Sequence, residues 1–223
     1  NSKLSCVVAD YKNSENLSIL SIKRIPTINI KKNIILDYNK LFEQIKLLIT
    51  EVEKESQTKI NSVNLNFSLL NSKSYYYDSE INISNEKITE LHIKKIINKS
   101  EYFNKNAEQY AIYNNIISYF VDNSQYHLAP IGNYSDYMKI NFYKILINKK
   151  YIDNFSSILK KLKLNIENYI PSPLSSSLSS LTKDEKELGT ICIDLGHSTS
   201  SISIFDNNKF VFGDSIGIGS NNV

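Results

Sequence analysis

Thr190-Ile191-Cys192-Ile193-Asp194-Leu195-Gly196-His197-Ser198-Thr199 is the stretch whose reading decides the fold. An apolar run from Thr190 ends in a carboxylate, Asp194. Leu195–Thr199 is a tight turn carrying a glycine and two hydroxyls, and Ser200–Phe205 alternates as a returning strand. Asn207-Asn208 fits a two-residue hairpin turn, because Asn tolerates positive φ. Lys209–Gly213 opens a third strand, and Gly217 and Gly219 close the segment. A strand ending in Asp-x-Gly, followed by hydroxyl residues and an antiparallel return, has the chemistry of a phosphate grip. Successive backbone N–H groups point at phosphate oxygens, and the Thr199 hydroxyl adds a donor. Asp194 can hold Mg²⁺ through water, since that ion keeps much of its hydration shell. Taken alone, the same spacing also fits a plain hairpin.

Upstream, Leu174, Leu178 and Leu181 fall at i, i+4, i+7 within a serine-rich run, which predicts a packed helix rather than a flexible linker. Tyr151–Leu162 has a helix face, and Leu164–Ile170 reads as a short strand. Gln109–Val121 and Tyr137–Ile147 are long strand candidates separated by the turn Ala129-Pro130-Ile131-Gly132. Tyr75–Ile83 is an aromatic strand leading to a helix with Leu91, Ile93, Ile96 and Ile97. Nearer the start, Leu4–Asp10 and Leu17–Arg24 pattern as a hairpin. Asp37 is the N-cap of an amphipathic helix from Tyr38 to about Ser56, and Val63–Phe67 alternates as a strand. The order predicts a mixed α/β layer, with a small α+β module from about 80 to 148.

Composition narrows the class. The chain has 223 residues, 41% hydrophobic and 22% charged, which excludes disordered and fibrous classes. Its net charge of +3 is too small to argue for a nucleic-acid partner. Two cysteines, Cys6 and Cys192, cannot build a disulfide framework or a four-ligand zinc site. No apolar run reaches the roughly 20 residues of a membrane-spanning helix, and no signal peptide is visible at the start. The Asn and Lys excess reflects codon bias, and His92 and His127 read as structural. With no initial Met and a last residue directly after a glycine turn, the chain reads as a piece of a longer protein.

The combined pattern resembles the actin/Hsp70/sugar-kinase ATPase superfamily and, within it, the FtsA family of bacterial cell-division proteins. The likeness covers essentially the whole chain. Its most specific carriers are Pro173-Leu174-Ser175-Ser176-Ser177 and Leu181–Gly189, ahead of the Asp194 turn. Ile30-Lys31-Lys32-Asn33-Ile34-Ile35 is similar to the family's short basic stretch, with Asn33 where glycine is usual. Tyr119–Asp122 and Ala129–Gly132 resemble a "Y-x-x-D … N-P-x-G" segment. Two departures fall in the grip itself: Ser198 and Ser220 stand where the family usually has glycine, which puts fast hydrolysis in doubt.

The resemblance implies an α/β, actin-like (ribonuclease H-like) fold. Residues 1–79 and 149–187 would form the first large subdomain, 80–148 an inserted SHS2-like subdomain, and 188–223 the start of the second lobe. It implies ATP and Mg²⁺ as cofactors, with Ser2, Lys3, Asp194, Gly196, His197, Ser198, Thr199, Gly219 and Ser220 as binding residues and Asp194 holding the metal through water. The implied role is a cytoplasmic scaffold on the inner face of the membrane at the division site. It would polymerise, bind FtsZ through a region beyond residue 223, and reach the membrane through a C-terminal helix outside this chain. Hydrolysis would be weak or incidental, since no carboxylate before residue 188 sits in a recognisable catalytic motif. A PilM-like pilus-assembly protein and an active ATPase or phosphotransferase of the superfamily are the competing readings.

Overall fold

The computed structural model describes residues 3–13, 16–101 and 108–222. Strands β1 (Lys3–Asn13) and β2 (Asn16–Pro26) form an antiparallel hairpin, with Lys3 opposite Pro26. Two short strands, β3 (Ile30–Lys31) and β4 (Ile34–Ile35), pair across Lys32 and Asn33, both in the left-handed region at φ 50° and 65°. Helix α1 (Tyr38–Ser56) begins where expected: Asp37 is extended at φ −136°, and its carboxylate accepts the Lys40 amide at 3.0 Å. That bond to the charged form holds the Asp37 carboxyl below its usual range. The α1 face bearing Leu41, Leu48 and Val52 is buried and lies over the β1–β2 hairpin.

Strand β5 (Ser62–Phe67) pairs in parallel with β10 (Asn165–Pro171), from Ser62 opposite Asn165 to Phe67 opposite Pro171. A parallel pair needs a crossover, and everything between residues 67 and 165 supplies it. The crossover contains an antiparallel sheet in the order β6-β9-β7-β8. Its strands are β6 (Lys73–Lys87), β7 (Gln109–Val121), β8 (Ser124–Tyr126) and β9 (Tyr134–Asn148), with helix α2 (Glu90–Glu101) against β6. Strand β6 runs unbroken across residues 79 and 80. Helix α3 (Lys149–Lys161), capped by Asn148, leads back to β10.

The long strands of this sheet serve two hydrophobic clusters. Tyr143, Ile145 and Ile147 of β9 pack with Leu41, Phe67, Ile152 and Ile158. Met138 and Ile140, further back on the same strand, pack with Ile83, Ile88, Ile96 and Val121. The serine-rich run is helix α4 (Ser172–Ser180), as expected, but its buried face carries Pro173 and Ser177, the latter against Ser203, while Leu178 is exposed. Small residues let the helix backbone approach the sheet closely. The mixed-charge run after it is a short helix, α5 (Lys183–Leu188), with a capping box between Thr182 and Glu185.

Strands β11 (Thr190–Leu195), β12 (Ser200–Asp206) and β13 (Lys209–Ile216) form an antiparallel sheet in that order. Asn207 and Asn208 turn the chain at φ 50° and 61°, as their composition predicts. Gly213 lets the buried Phe210 ring lie flat on the strand, since a Cβ there would come within 2.3 Å of the ring. Gly213→Ala is therefore expected to overpack this joint and cost about 1–3 kcal/mol, read as a lower urea midpoint; an unchanged midpoint would show that the ring has room to move.

Candidate functional site

The alternation of β11 sets the site. Ile191, Ile193 and Leu195 face one side and are exposed, while Asp194 faces α4. Ser176 on that helix has its hydroxyl 2.9 Å from Asp194 Oδ2 and 2.7 Å from the Ser172 carbonyl. One hydroxyl carries one proton, so the carboxylate shares this donor with a backbone oxygen. Asp194 is thus oriented and still has acceptor capacity for a hydrated cation.

The turn after Asp194 is braced from behind. Gly196 donates its amide to the Thr199 carbonyl at 3.0 Å, and a Cβ on Gly196 would meet that carbonyl at 2.7 Å. The Gly196 and His197 carbonyls accept the Ser220 and Asn221 amides, both at 3.0 Å. Gly219 lies so near these carbonyls that a Cβ would sit 2.5 Å from either oxygen. Ser200 adds a bond from its hydroxyl to the Ile218 carbonyl at 2.8 Å. Carbonyl oxygens of the turn are thereby drawn to the 218–221 segment, away from where an anion would bind.

On its outer side the turn borders a cavity of about 340 Å³. His197, Ser198 and Asn221 line one wall, and Thr27, Ile30 and Lys31 line the other. Lys3 stands opposite Pro26 in the β1–β2 register, and Pro26 lines the cavity whereas Lys3 does not. Ser2 lies outside the described residues. His197, Ser198, Gly196, Thr199, Gly219 and Ser220 come together around one turn, with Asp194 at its entrance.

Neither serine departure strains the backbone. Ser198 and Ser220 are absent from the residues with positive φ, so a Cβ is tolerated at both. Asn33, another replacement of a usual glycine, takes φ 65° and donates its side-chain amide to the Ser68 carbonyl at 2.8 Å. Sequence reasoning did not assign Ser176, Lys31 or Lys32 to the site. The basic stretch was visible, but only the fold carries it to the Asp194 turn. Ser176 had no local signal, being one of several serines on α4.

The donor set suits a phosphate chain with Mg²⁺: a braced turn rich in N–H groups, a lysine across from it and a carboxylate at the edge. Mg²⁺ binds through a few oxygens plus water, so a single protein carboxylate is sufficient chemistry. No group of three or more metal-ligating side chains occurs among the described residues.

No protein-family model matches the chain. It is 21% identical over 210 residues to the cell division protein FtsA of Agrobacterium fabrum, which covers 94% of this chain and 47% of that protein. FtsA of Pseudomonas aeruginosa is 21% identical over 204 residues, covering 92% and 49% respectively. FtsA of Escherichia coli K12 is 22% identical over 206 residues, covering 91% and 48%. In fold, the chain matches a PilM-PilN type IV pilus biogenesis complex with a TM-score of 0.66 at 12% identity, covering 99% of this chain and 60% of that one. Over more than nine-tenths of its length the chain is similar to FtsA proteins, and its fold is actin-like.

The chain spans about half the length of the curated proteins it matches. In it, the brace at Gly219 is the most constrained element of the candidate site. A methyl there has backbone oxygens at 2.5 Å, which cannot swing away as a side chain can. Gly219→Ala is expected to break the Ser220 and Asn221 bonds to the turn, seen as amide exchange at both positions accelerated at least tenfold, an effect of about 1.4 kcal/mol. Unaltered protection there would show that the 196–199 turn holds its own shape.

Proposed function

We propose that the chain carries the first lobe and the opening of the second in a nucleotide-gated, actin-like scaffold of bacterial cell division. One observation carries this reading: the Asp194–Thr199 turn, held from behind by 218–221, faces a cavity whose other wall comes from the Pro26–Leu36 segment. Mg-ATP would bind there, the metal neutralising phosphate charge when present. Asp194 would hold the hydrated metal, the amides of residues 197–199 and the Thr199 hydroxyl would bind phosphate oxygens, and Lys3 would add a cation. Ser2, Gly196, His197, Ser198, Gly219 and Ser220 complete this set.

Within the reading, residues 1–79 and 149–187 make up the first large subdomain, 80–148 the SHS2-like module and 188–223 the start of the second lobe. The nucleotide state would control self-association into filaments, and the whole protein would tether the FtsZ ring to the inner face of the cytoplasmic membrane at the septum. No helix among the described residues is long and apolar enough to cross a membrane.

Hydrolysis is secondary in this proposal. The residues lining the cavity include no carboxylate. Among carboxylates of the first lobe, Asp37 caps α1, Glu53 pairs with Lys59, and Glu55 pairs with Lys23. These groups have structural partners and lie on α1 or before it. A pilus-assembly role is the second reading, supported by the fold likeness alone, whereas the curated relatives described above are FtsA.

Asp194→Ala should weaken Mg-ATP binding by about tenfold to a hundredfold, the usual cost of losing a group that orients a metal's ligands. Calorimetry on the folded variant checks this, with circular dichroism as the control. Undiminished affinity would remove Asp194 from the site.

A further inference from the structure

Lys209, at the start of β13, reaches into the crossover sheet without meeting a carboxylate. Its Nζ donates to the Ile117 carbonyl at 2.7 Å and the His127 carbonyl at 2.6 Å, and lies 5.7 Å from the centre of the Tyr119 ring. No described Asp or Glu is ion-paired with it. Both acceptors lie where strand pairing stops. Ile117 falls in a break of register on β7, between Ile116 opposite Phe142 and Ser118 opposite Asn141, so β9 offers it no opposite residue. His127 is the first residue past β8, whose ladder with β7 ends at Tyr119 opposite Tyr126. The ammonium thus spans β7 and β8 where their own rungs run out.

On its own side Lys209 is fixed. The Asn207 and Asn208 amides just before it bond to the Glu187 and Lys186 carbonyls of α5 at 3.2 and 2.9 Å. On the far side, little else holds the arm that begins with β8. Ser124, Gln125 and Tyr126 are its only rungs with β7, and Ser124, Gln125, His127 and Leu128 are all exposed. An ammonium resting on two neutral oxygens is attracted but not neutralised, and a half-buried one has water close at hand. Local opening starts where buried apolar contacts are few and hydrogen bonds face solvent. The Lys209 contact meets both conditions. Further along β13, Tyr143 meets neither: it has no exposed surface and bonds to Gly213 within a cluster of aromatic rings.

We propose that Lys209 is a releasable strap that locks the β8 arm, residues 124–131, onto β13, and that the arm opens by itself when the strap lets go. The Tyr143–Gly213 contact keeps the two sheets seated in both states. The strap therefore ties the arm to the strand that leads toward the Asp194 turn. This goes beyond the nucleotide reading and does not depend on it, since every contact involved lies within the chain.

The test is amide hydrogen exchange on the 223-residue chain carrying Lys209→Gln or Lys209→Met. Met keeps an apolar stem and removes every donor. Both variants are expected to speed exchange at residues 124–126 by about tenfold or more, as for loss of a charge-assisted bond. The Gly213 amide and residues 138–147 of β9 should stay within about twofold of the unaltered chain. Tyr143→Phe should give the reverse pattern, with faster exchange at Gly213 and continued protection at 124–126. Unchanged exchange at 124–126 in either Lys209 variant would overturn the strap; a change in Gln alone would trace to lost packing. Acceleration spread evenly over β9 and Gly213, or failure of both Lys209 variants to fold, would also overturn it, because the contact would then be part of the core. Tyr143→Phe freeing 124–126 as much as the Lys209 variants do would count the same way.

Discussion

Tyr143 has no exposed surface, and its hydroxyl has to find its partners inside the protein. Two of them lie on one residue of another sheet, the Gly213 amide at 2.9 Å and the Gly213 carbonyl at 3.2 Å. Burial raises the pKa of the phenol, so it remains a donor across ordinary pH. The rings of Tyr76, Tyr113, Phe210 and Phe212 surround it, and the Tyr76 hydroxyl makes a second bond to β13 at the Val211 carbonyl, 2.7 Å away. Were this joint lost, the β11–β13 sheet would lose its seat on the strands of the crossover.

The joint is reinforced at the start of β13. Lys209 donates to the Ile117 and His127 carbonyls at 2.7 and 2.6 Å, with the Tyr119 ring nearby. Partial burial lowers its pKa, the cost of holding an ammonium against neutral oxygens. Beyond Gly213 the strand ends at Ile216 and the chain goes on to Gly217 and Gly219, where it meets Lys32 and the back of the Asp194 turn. One strand of eight residues, about 26 Å long, therefore links the crossover sheet with the candidate phosphate turn. A displacement of the turn has a direct mechanical route to β7 and β9.

Much of the local structure was legible because it is encoded within a few residues. The helix from Tyr38 to Ser56 has its cap, its apolar spacing and its end in the sequence itself. The strand Gln109–Val121 and the Asn207-Asn208 turn are equally local. Other elements have two readings until they meet a neighbour. The serine-rich run around Ser177 is a helix because Ser203 and the β11–β13 sheet offer a surface close enough to need small residues. Strand β9 starts at Tyr134, three residues before the alternation at Tyr137 announces it, because pairing with Lys87 and Glu86 extends the ladder.

The candidate site divides along the same line. By itself the sequence determined the Asp194–Thr199 turn, its hydroxyls and the glycines at 217 and 219, since strand, turn and return are adjacent in the chain and follow from alternation and φ preferences. Only the tertiary structure decided what faces that turn. Ser176 meets Asp194 across 18 residues, and Lys32 reaches Gly217 across more than 180. Both contacts depend on the parallel pairing of β5 with β10 and the seat of Tyr143 on Gly213. Such pairings are chosen by the summed burial of many side chains, and no short stretch of sequence contains that sum.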